Sequence, residues 1–479
     1  MLMHIWLFAG QTAERCNKNK GGIFTMEGLR VLSPTAILGY GFPVESFEEG
    51  MKRHPDVIAV DAGSTDPGPY YLGAGVSFTD RNAVKRDLDI MITAAIKEGI
   101  PVIIGTAGGC GGDPHLNWNI NIVREIAFEK GLNFKIAVIN AEIDKEHVLD
   151  MLKKGKVSPL HPAPELTEEE LHKTERIVGQ MGVEPFIEAL DMDAQVILAG
   201  RAYDPAVFAA LAVKKGYDRG LAIHMGKILE CACIAATPGS GSDCMMGYLN
   251  KDNFVVEALN PIRKCTTLSV AAHTLYEKTN PYILPGPGGV LDLVDTKFEQ
   301  DGDRAVKVSG SKFVPSEKYT IKLEGVKKVG YRTVSVAGVR DPIFISKIDE
   351  IIAGVRARVT DNFKDLKMDY RLDFKIYGKN GVMGDLEPEK EIKSHELGII
   401  IEAVAGDQST ANTICSFARS TMLHYGYEGR ISTAGNLAFP YSPSDFKAGE
   451  VYAFSIYHLI EVSDPTELFP IELIPSIEQ

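Results

Sequence analysis

Residues 102–113 read Val102-Ile103-Ile104-Gly105-Thr106-Ala107-Gly108-Gly109-Cys110-Gly111-Gly112-Asp113, a short apolar run that passes straight into five glycines within eight residues. The run has the composition of a buried strand, and a helical pattern follows from about His115 to Lys130. Glycine suits backbone that must take φ > 0 or let another group come close. A strand, glycine turn and helix in this order aim backbone N–H groups and the positive end of a helix dipole at one point, a geometry suited to a carboxylate or phosphate. Gly108, Gly109, Gly111, Gly112 and Asp113 are therefore candidate substrate-binding residues. The competing reading is a tight turn whose glycines serve only the bend.

The segments around it repeat the same rhythm. Strands are expected at residues 29–39, 57–60, 101–104, 134–139 and 195–199. Helices are expected at 44–53, 79–98, 145–154, 167–181 and 205–214. Such alternation predicts an α/β fold, a mostly parallel sheet with helices on both faces. Past residue 295 short alternating strands dominate, at 298–312, 319–323, 332–336, 371–377, 397–404 and 451–462, with helices at 345–359 and 409–425. This predicts a smaller α+β domain over 296–479, after an α/β ligand-binding domain over 26–295. Pro285-Gly-Pro-Gly-Gly289 reads as the boundary between them or, equally, as an ordered loop at their interface. Residues 1–25 lack this periodicity and read as a disordered or artefactual extension, such as translation from an upstream start.

Composition narrows the function. The chain has 479 residues, 45% hydrophobic and 24% charged, which is ordinary for a globular protein. A formal charge of −13 argues against nucleic acid as the main partner. No run of eighteen apolar residues indicates a membrane span, and the N-terminal patch lacks the basic region of a signal peptide. Seven cysteines, an odd number in a large chain, point to a reducing cytoplasmic setting. Neither zinc-finger spacing nor a G-x-G-x-x-G dinucleotide fingerprint is present, so no NAD is expected; Walker and serine-elbow motifs are likewise missing.

In a parallel sheet, ligands bind beyond the carboxyl ends of the strands. Three polar segments fall there: Asp61-Ala-Gly-Ser-Thr-Asp66, the glycine turn, and Gly200-Arg201-Ala-Tyr203-Asp204-Pro205. Asp61 and Asp66 could supply a general base or, with Asp113, hold a divalent metal; both could equally cap local backbone. Arg201 can grip a carboxylate or phosphate through two N–H groups, with Asp204 beside it. Asp204 before Pro205 also reads as a helix N-cap. Glu230, among small apolar residues, would be desolvated toward a pKa useful for proton transfer. Cys231 is a candidate nucleophile if His224 reaches it, or else an apolar filler. His273 and Asp407 read as structural.

Taken in order, Thr106-Ala107-Gly108-Gly109, Val196 through Arg201 with Asp204, the helix ending Ile228-Leu229-Glu230-Cys231, and the segment 267–281 resemble the acyclic terpene utilisation AtuA family over residues 28–340. The resemblance implies a cytoplasmic catabolic protein acting on acyl-CoA thioesters or related carboxylates. The continuation Cys110-Gly111-Gly112-Asp113 and the Asp-rich turn after the second strand depart from that pattern. We expect a lyase or hydratase on an acyl-CoA or carboxylate, with the glycine turn and Arg201 holding the anion and Asp61 or Glu230 moving the proton. The partners expected are a small anionic substrate and further copies of the chain, with a divalent metal or a small partner subunit as options. The alternative is a non-catalytic binding or scaffolding subunit of a catabolic complex.

Overall fold

A computed structural model describes residues 28–276, 280–365, 369–431 and 433–477. The expected extension at 1–25 lies outside the described residues. At the centre stand five parallel strands in the spatial order Leu29–Ser33, Val57–Asp61, Val102–Gly105, Val196–Ala199 and Lys135–Ile139. Antiparallel strands widen the sheet to ten. Met245–Leu249, Phe254–Ala258, Ala305–Ser309 and Lys297–Asp301 extend one side, and Ile471–Pro475 closes the other.

Burial on both faces explains the continuous apolar runs, because successive side chains point to opposite sides of a strand. Val57, Ala59, Ile103, Ile197 and Ala199 pack with residues from the helices Glu184–Asp191, Asp204–Lys214 and Arg219–Leu229. Ile58, Val60, Ile104, Val196 and Leu198 pack with the helices Val44–Met51, Arg81–Glu98 and Asp113–Lys130 on the other side. Local signals set the helix ends. Asp80 caps Arg81–Glu98 by accepting from the Asn82 and Ala83 amides, and Gly99 ends it at φ +66°.

A second sheet is antiparallel. Its order is Tyr370–Tyr377, Leu397–Ala405, Tyr319–Val339, Asp445–Val462 and Val157–Pro159, with Arg176–Gly179 also pairing against Tyr319–Val339. The helices Ile348–Phe363 and Gln408–Leu423 pack on one face of it. The expected strands at 319–323 and 332–336 are parts of one 21-residue strand, bent by three shifts of register against Asp445–Val462.

One helix is corrected. Residues 167–181 form the short helix Glu168–Lys173 followed by the strand Arg176–Gly179. Thr174 turns its hydroxyl back to the Glu170 carbonyl at 2.9 Å, and pairing with Leu323–Val326 then favours the extended form for Ile177 and Val178. Strands from both sides of residue 295 share both sheets. Lys297–Asp301, Ala305–Ser309 and Ile471–Pro475 join the first, while Val157–Pro159 and Arg176–Gly179 join the second.

Candidate functional site

The carboxyl ends of the parallel strands converge as the turn residues imply. Asp61 is paired in register with Gly105, the Thr106 amide donates to Gly200 O at 3.0 Å, and the Ala107 amide to Ala199 O at 2.9 Å. Thr106 sits at φ +48°, costly for a β-branched residue. Its hydroxyl oxygen accepts from the Ala202 amide at 3.2 Å and from Arg201 Nη1 at 3.4 Å.

The glycine turn is buried throughout. Gly108, Gly109 and Gly111 take φ of +71°, +100° and +71°. A Cβ on Gly111 would lie 2.2 Å from the Arg201 nitrogen, one on Gly108 2.6 Å from His115 Cβ, and one on Gly109 2.9 Å from the Phe78 ring. A Cβ on Gly112 would meet Arg176 Cδ at 3.0 Å. These glycines thus let the turn press against residues 200–201, His115, Phe78 and Arg176. The helix N-terminus beyond them faces a carboxylate of the chain itself: the Asp113 amide donates to Glu142 Oε2 at 2.9 Å, and Arg176 Nη1 donates to Glu142 Oε1 at 2.7 Å. The Asp113 side chain is exposed, its carboxyl pushed up by burial of part of the group and by Glu142.

Arg201 is 2% exposed. Its Nε donates to Glu324 Oε2 at 2.7 Å, and its Nη1 donates to the Ala202 carbonyl at 2.7 Å and to Asp204 Oδ1 at 3.1 Å. Glu324, on the long strand Tyr319–Val339, is itself buried and meets Lys322 Nζ at 2.7 Å. Burial alone would raise the Glu324 carboxyl, but Arg201 and Lys322 hold it down at about 2. Asp204 opens the helix Asp204–Lys214. The N-cap is Tyr203, one residue earlier than expected, so the Asp204 carboxyl is left to Arg201.

Asp61 is buried, and its Oδ1 has no hydrogen-bond partner among the described residues. Burial first, then the neighbouring Asp204, push its carboxyl well above the ordinary range; Arg201 pulls the other way, and Glu230 and the Gly63 amide, raising and lowering it in turn, weigh less. Asp66 lies apart, exposed and engaged with the Ser64 hydroxyl at 3.0 Å. Asp61, Asp66 and Asp113 do not assemble as ligands: no three His, Cys, Asp or Glu side chains among the described residues are grouped to hold a metal ion.

The end of the helix Arg219–Leu229 forms the other wall. Glu230 and Lys227, both buried, form an ion pair one helical turn apart, and Lys227 Nζ lies 5.5 Å above the Tyr276 ring. Burial opposes the Lys227 charge, but Glu230 outweighs it and keeps the ammonium protonated. Cys231 Sγ stands 3.8 Å from Tyr276 Oη. Its thiol is pushed up to about 12 by burial and then by Glu230, so the thiolate needed for nucleophilic attack is disfavoured. The next residue, Ala232, takes φ +44°.

His224 turns away from Cys231, with Nδ1 2.6 Å from Ser311 Oγ and Nε2 3.1 Å from Thr274 Oγ1. His273 lies against Tyr276, ring centroids 4.9 Å apart, and Asp407 caps Gln408–Leu423 through the Thr410 amide. The structure therefore gathers Asp61, Arg201, Asp204, Glu230 and Cys231 near one strand-end cluster and leaves Asp113 at the Glu142–Arg176 pair.

Three members escaped the sequence reading. Lys227 was detectable, since i,i+3 spacing to Glu230 on one helix invites an ion pair. Thr106 sat inside the quoted stretch, unremarkable until its backbone was seen. Glu324, 123 residues from Arg201, carries no local signal.

No curated protein and no solved structure matches the chain. A family model does, at residues 80–244 and 255–441, taking in Arg201, Lys227, Glu230 and Glu324; Asp61 precedes the matched region. Since those two regions cover most of its length, the chain belongs to the acyclic terpene utilisation family described as AtuA.

Proposed function

We propose that this terpene-utilisation family member is a catabolic enzyme of the lyase or hydratase class, acting on an acyl-CoA or a free carboxylate, with Asp61 as its proton donor. The observation that carries the reading is Asp61 itself: a buried carboxyl at a strand end, one oxygen without a hydrogen-bond partner among the described residues, beside Asp204, Arg201 and Glu230. A carboxylic acid kept neutral can donate a proton to the carbon or oxygen that becomes anionic when water adds to, or leaves, an unsaturated acyl group. Asp204, partly exposed and held by Arg201, is the carboxyl available to take the proton of the attacking water. In the reverse direction the same two groups exchange roles. Lys227 adds a fixed positive charge to the opposite wall, and Gly108–Gly112 shape the turn that holds Arg201 in place.

The free cysteines among the described residues support a reducing, cytoplasmic setting. We place the chain there as a homo-oligomer. The test offers the purified protein a panel of unsaturated branched carboxylates and their CoA thioesters, with hydration or dehydration followed by mass spectrometry. Turnover that Asp61→Asn abolishes without loss of fold is the expected result. An Asp61→Asn variant as active as the parent overturns the reading.

A second reading, a binding or scaffolding subunit, draws on the internal neutralisation of both anion-holding devices. Arg201 faces Glu324 and Asp204, and the helix N-terminus faces Glu142. Ligand-induced stabilisation without turnover across the panel would favour it.

A further inference from the structure

Seven charged or ionisable side chains bear on one another at the strand ends: Arg201, Lys227 and Lys322 against Asp61, Asp204, Glu230 and Glu324. Hydrogen bonds and ion pairs couple six of them. Arg201 serves Glu324 and Asp204, Lys322 serves Glu324, and Lys227 serves Glu230. Asp61 is the remaining carboxyl, and no cation among the described residues forms an ion pair with it. Arg201 stands near enough to act on it electrostatically.

We propose that Glu324, reaching from the second sheet into the strand ends of the first, is a positioning residue that holds the Arg201 charge away from Asp61 and so keeps Asp61 in its acid form. The assignment rests on the reading of Asp61 as proton donor and adds what sets its protonation. Glu324 is 1% exposed and divides its two oxygens, Oε2 to Arg201 Nε and Oε1 to Lys322 Nζ, both at 2.7 Å. A buried carboxylate on the guanidinium opposes its field at Asp61, where the pull of Arg201 ranks below burial and Asp204. The backbone enforces it, because Glu324 is paired with Val178 in the strand Arg176–Gly179, three residues before Met181, which bridges to Ala202. The second sheet thereby supplies a residue without which the strand-end cluster would carry an excess positive charge.

The groups facing Asp61 from the neighbouring elements are Arg201 from the turn after Val196–Ala199, Asp204 from the start of Asp204–Lys214, and Glu230, with its partner Lys227, from the end of Arg219–Leu229. Cys110, in the glycine turn, feels Arg201 and Glu324, and its thiol is pushed up to about 12 by burial. With Glu324 neutral, the Arg201 charge would act on Asp61 and favour the carboxylate.

The experiment is an infrared pH titration of the full chain carrying ¹³C-labelled aspartate, following the protonated-carboxyl band that Asp61→Asn removes. In Glu324→Gln, which keeps the shape and loses the charge, the midpoint of that band is expected to fall by about one to three pH units with circular dichroism unchanged. In Lys322→Met, which leaves Glu324 more of its charge for Arg201, the midpoint is expected to rise. A midpoint unmoved in a folded Glu324→Gln overturns the proposal. If Glu324→Gln does not fold, Lys322→Met decides, and a midpoint that falls or stays overturns it. A wild-type chain with no Asp61 band at neutral pH would instead sink the reading of Asp61 as proton donor, so the two failures are distinct.

Discussion

The backbone amide of Asp113 donates to Glu142 Oε2 at 2.9 Å, so the helix that the glycine turn opens already has a carboxylate at its N-terminus. Glu142 comes from the stretch after Lys135–Ile139 and is steadied by Arg176, which also donates through Nε to the Leu72 carbonyl at 3.1 Å. An N-terminus of this kind favours negative charge whether a ligand or the protein supplies it. Here the protein does, and the strand–turn–helix signal marks an anion position without requiring a substrate in it.

Removing that carboxylate should reopen the position to solution anions. Glu142→Ala is expected to destabilise the chain by about 1–3 kcal/mol, since Arg176 and the Asp113 amide both lose a charge-assisted partner. Sulfate at fixed ionic strength should then raise the melting temperature of Glu142→Ala more than that of the parent. Equal responses to sulfate would show that Glu142 does not occupy the anion position.

The packing role of the glycines separates from their backbone role. Gly131 ends the helix Asp113–Lys130 at φ +63° with open space where a Cβ would stand, so Gly131→Ala carries only the left-handed backbone cost of about 1–2 kcal/mol. Gly111 has a similar φ, +71°, yet its Cβ would lie 2.2 Å from the Arg201 nitrogen, where backbone must move. Gly111→Ala should therefore cost clearly more than Gly131→Ala in urea unfolding. Matching losses would mean that the turn has slack against residues 200–201.

The central sheet was readable because each parallel strand is a short, mostly apolar run closed by turn residues, a signal contained within the strand itself. The limits of Arg81–Glu98 are set in the same local way, by the Asp80 side chain at its start and Gly99 at its end. What escaped was set across long distances in the chain. Arg176–Gly179 follows a helix start with an acidic first turn, and only its partner Leu323–Val326 makes it a strand. The same limit applies to the site. Asp61, Arg201 and Glu230 could be named from strand ends and a helix end, whereas the partner that neutralises Arg201 and the carboxylate that fills the helix N-terminus lie on elements no periodicity connects to them.

Cys231, half-buried, is expected to behave as an unreactive thiol. Held at about 12 by burial and Glu230, it should react with iodoacetamide at neutral pH far more slowly than a free cysteine, in which the thiolate is a few per cent of the total. Mass spectrometry of tryptic peptides reads the extent of labelling. Fast labelling of Cys231 in the folded chain would restore it as a nucleophile.

The acid limb of stability should report on His224. Burial, with Lys227 adding to it, holds this imidazole down at about 3 against an ordinary 6.5, and its two nitrogens are engaged by Ser311 and Thr274. A folded pKa below the unfolded one means that the unfolded chain takes up a proton first. The contribution of neutral His224 is therefore complete above pH 6.5 and is lost as the pH falls toward about 3. Between pH 6 and pH 5 that loss amounts to about 1 kcal/mol. His273, held at about 4 mainly by burial, adds a limb of its own, so the raw pH dependence of the parent is composite. The difference between parent and His224→Gln isolates one imidazole. Urea unfolding at the two pH values should show the parent's advantage over His224→Gln shrinking by that amount on acidification, and an advantage that stays constant would mean that His224 takes up its proton as readily in the folded chain as in the unfolded one.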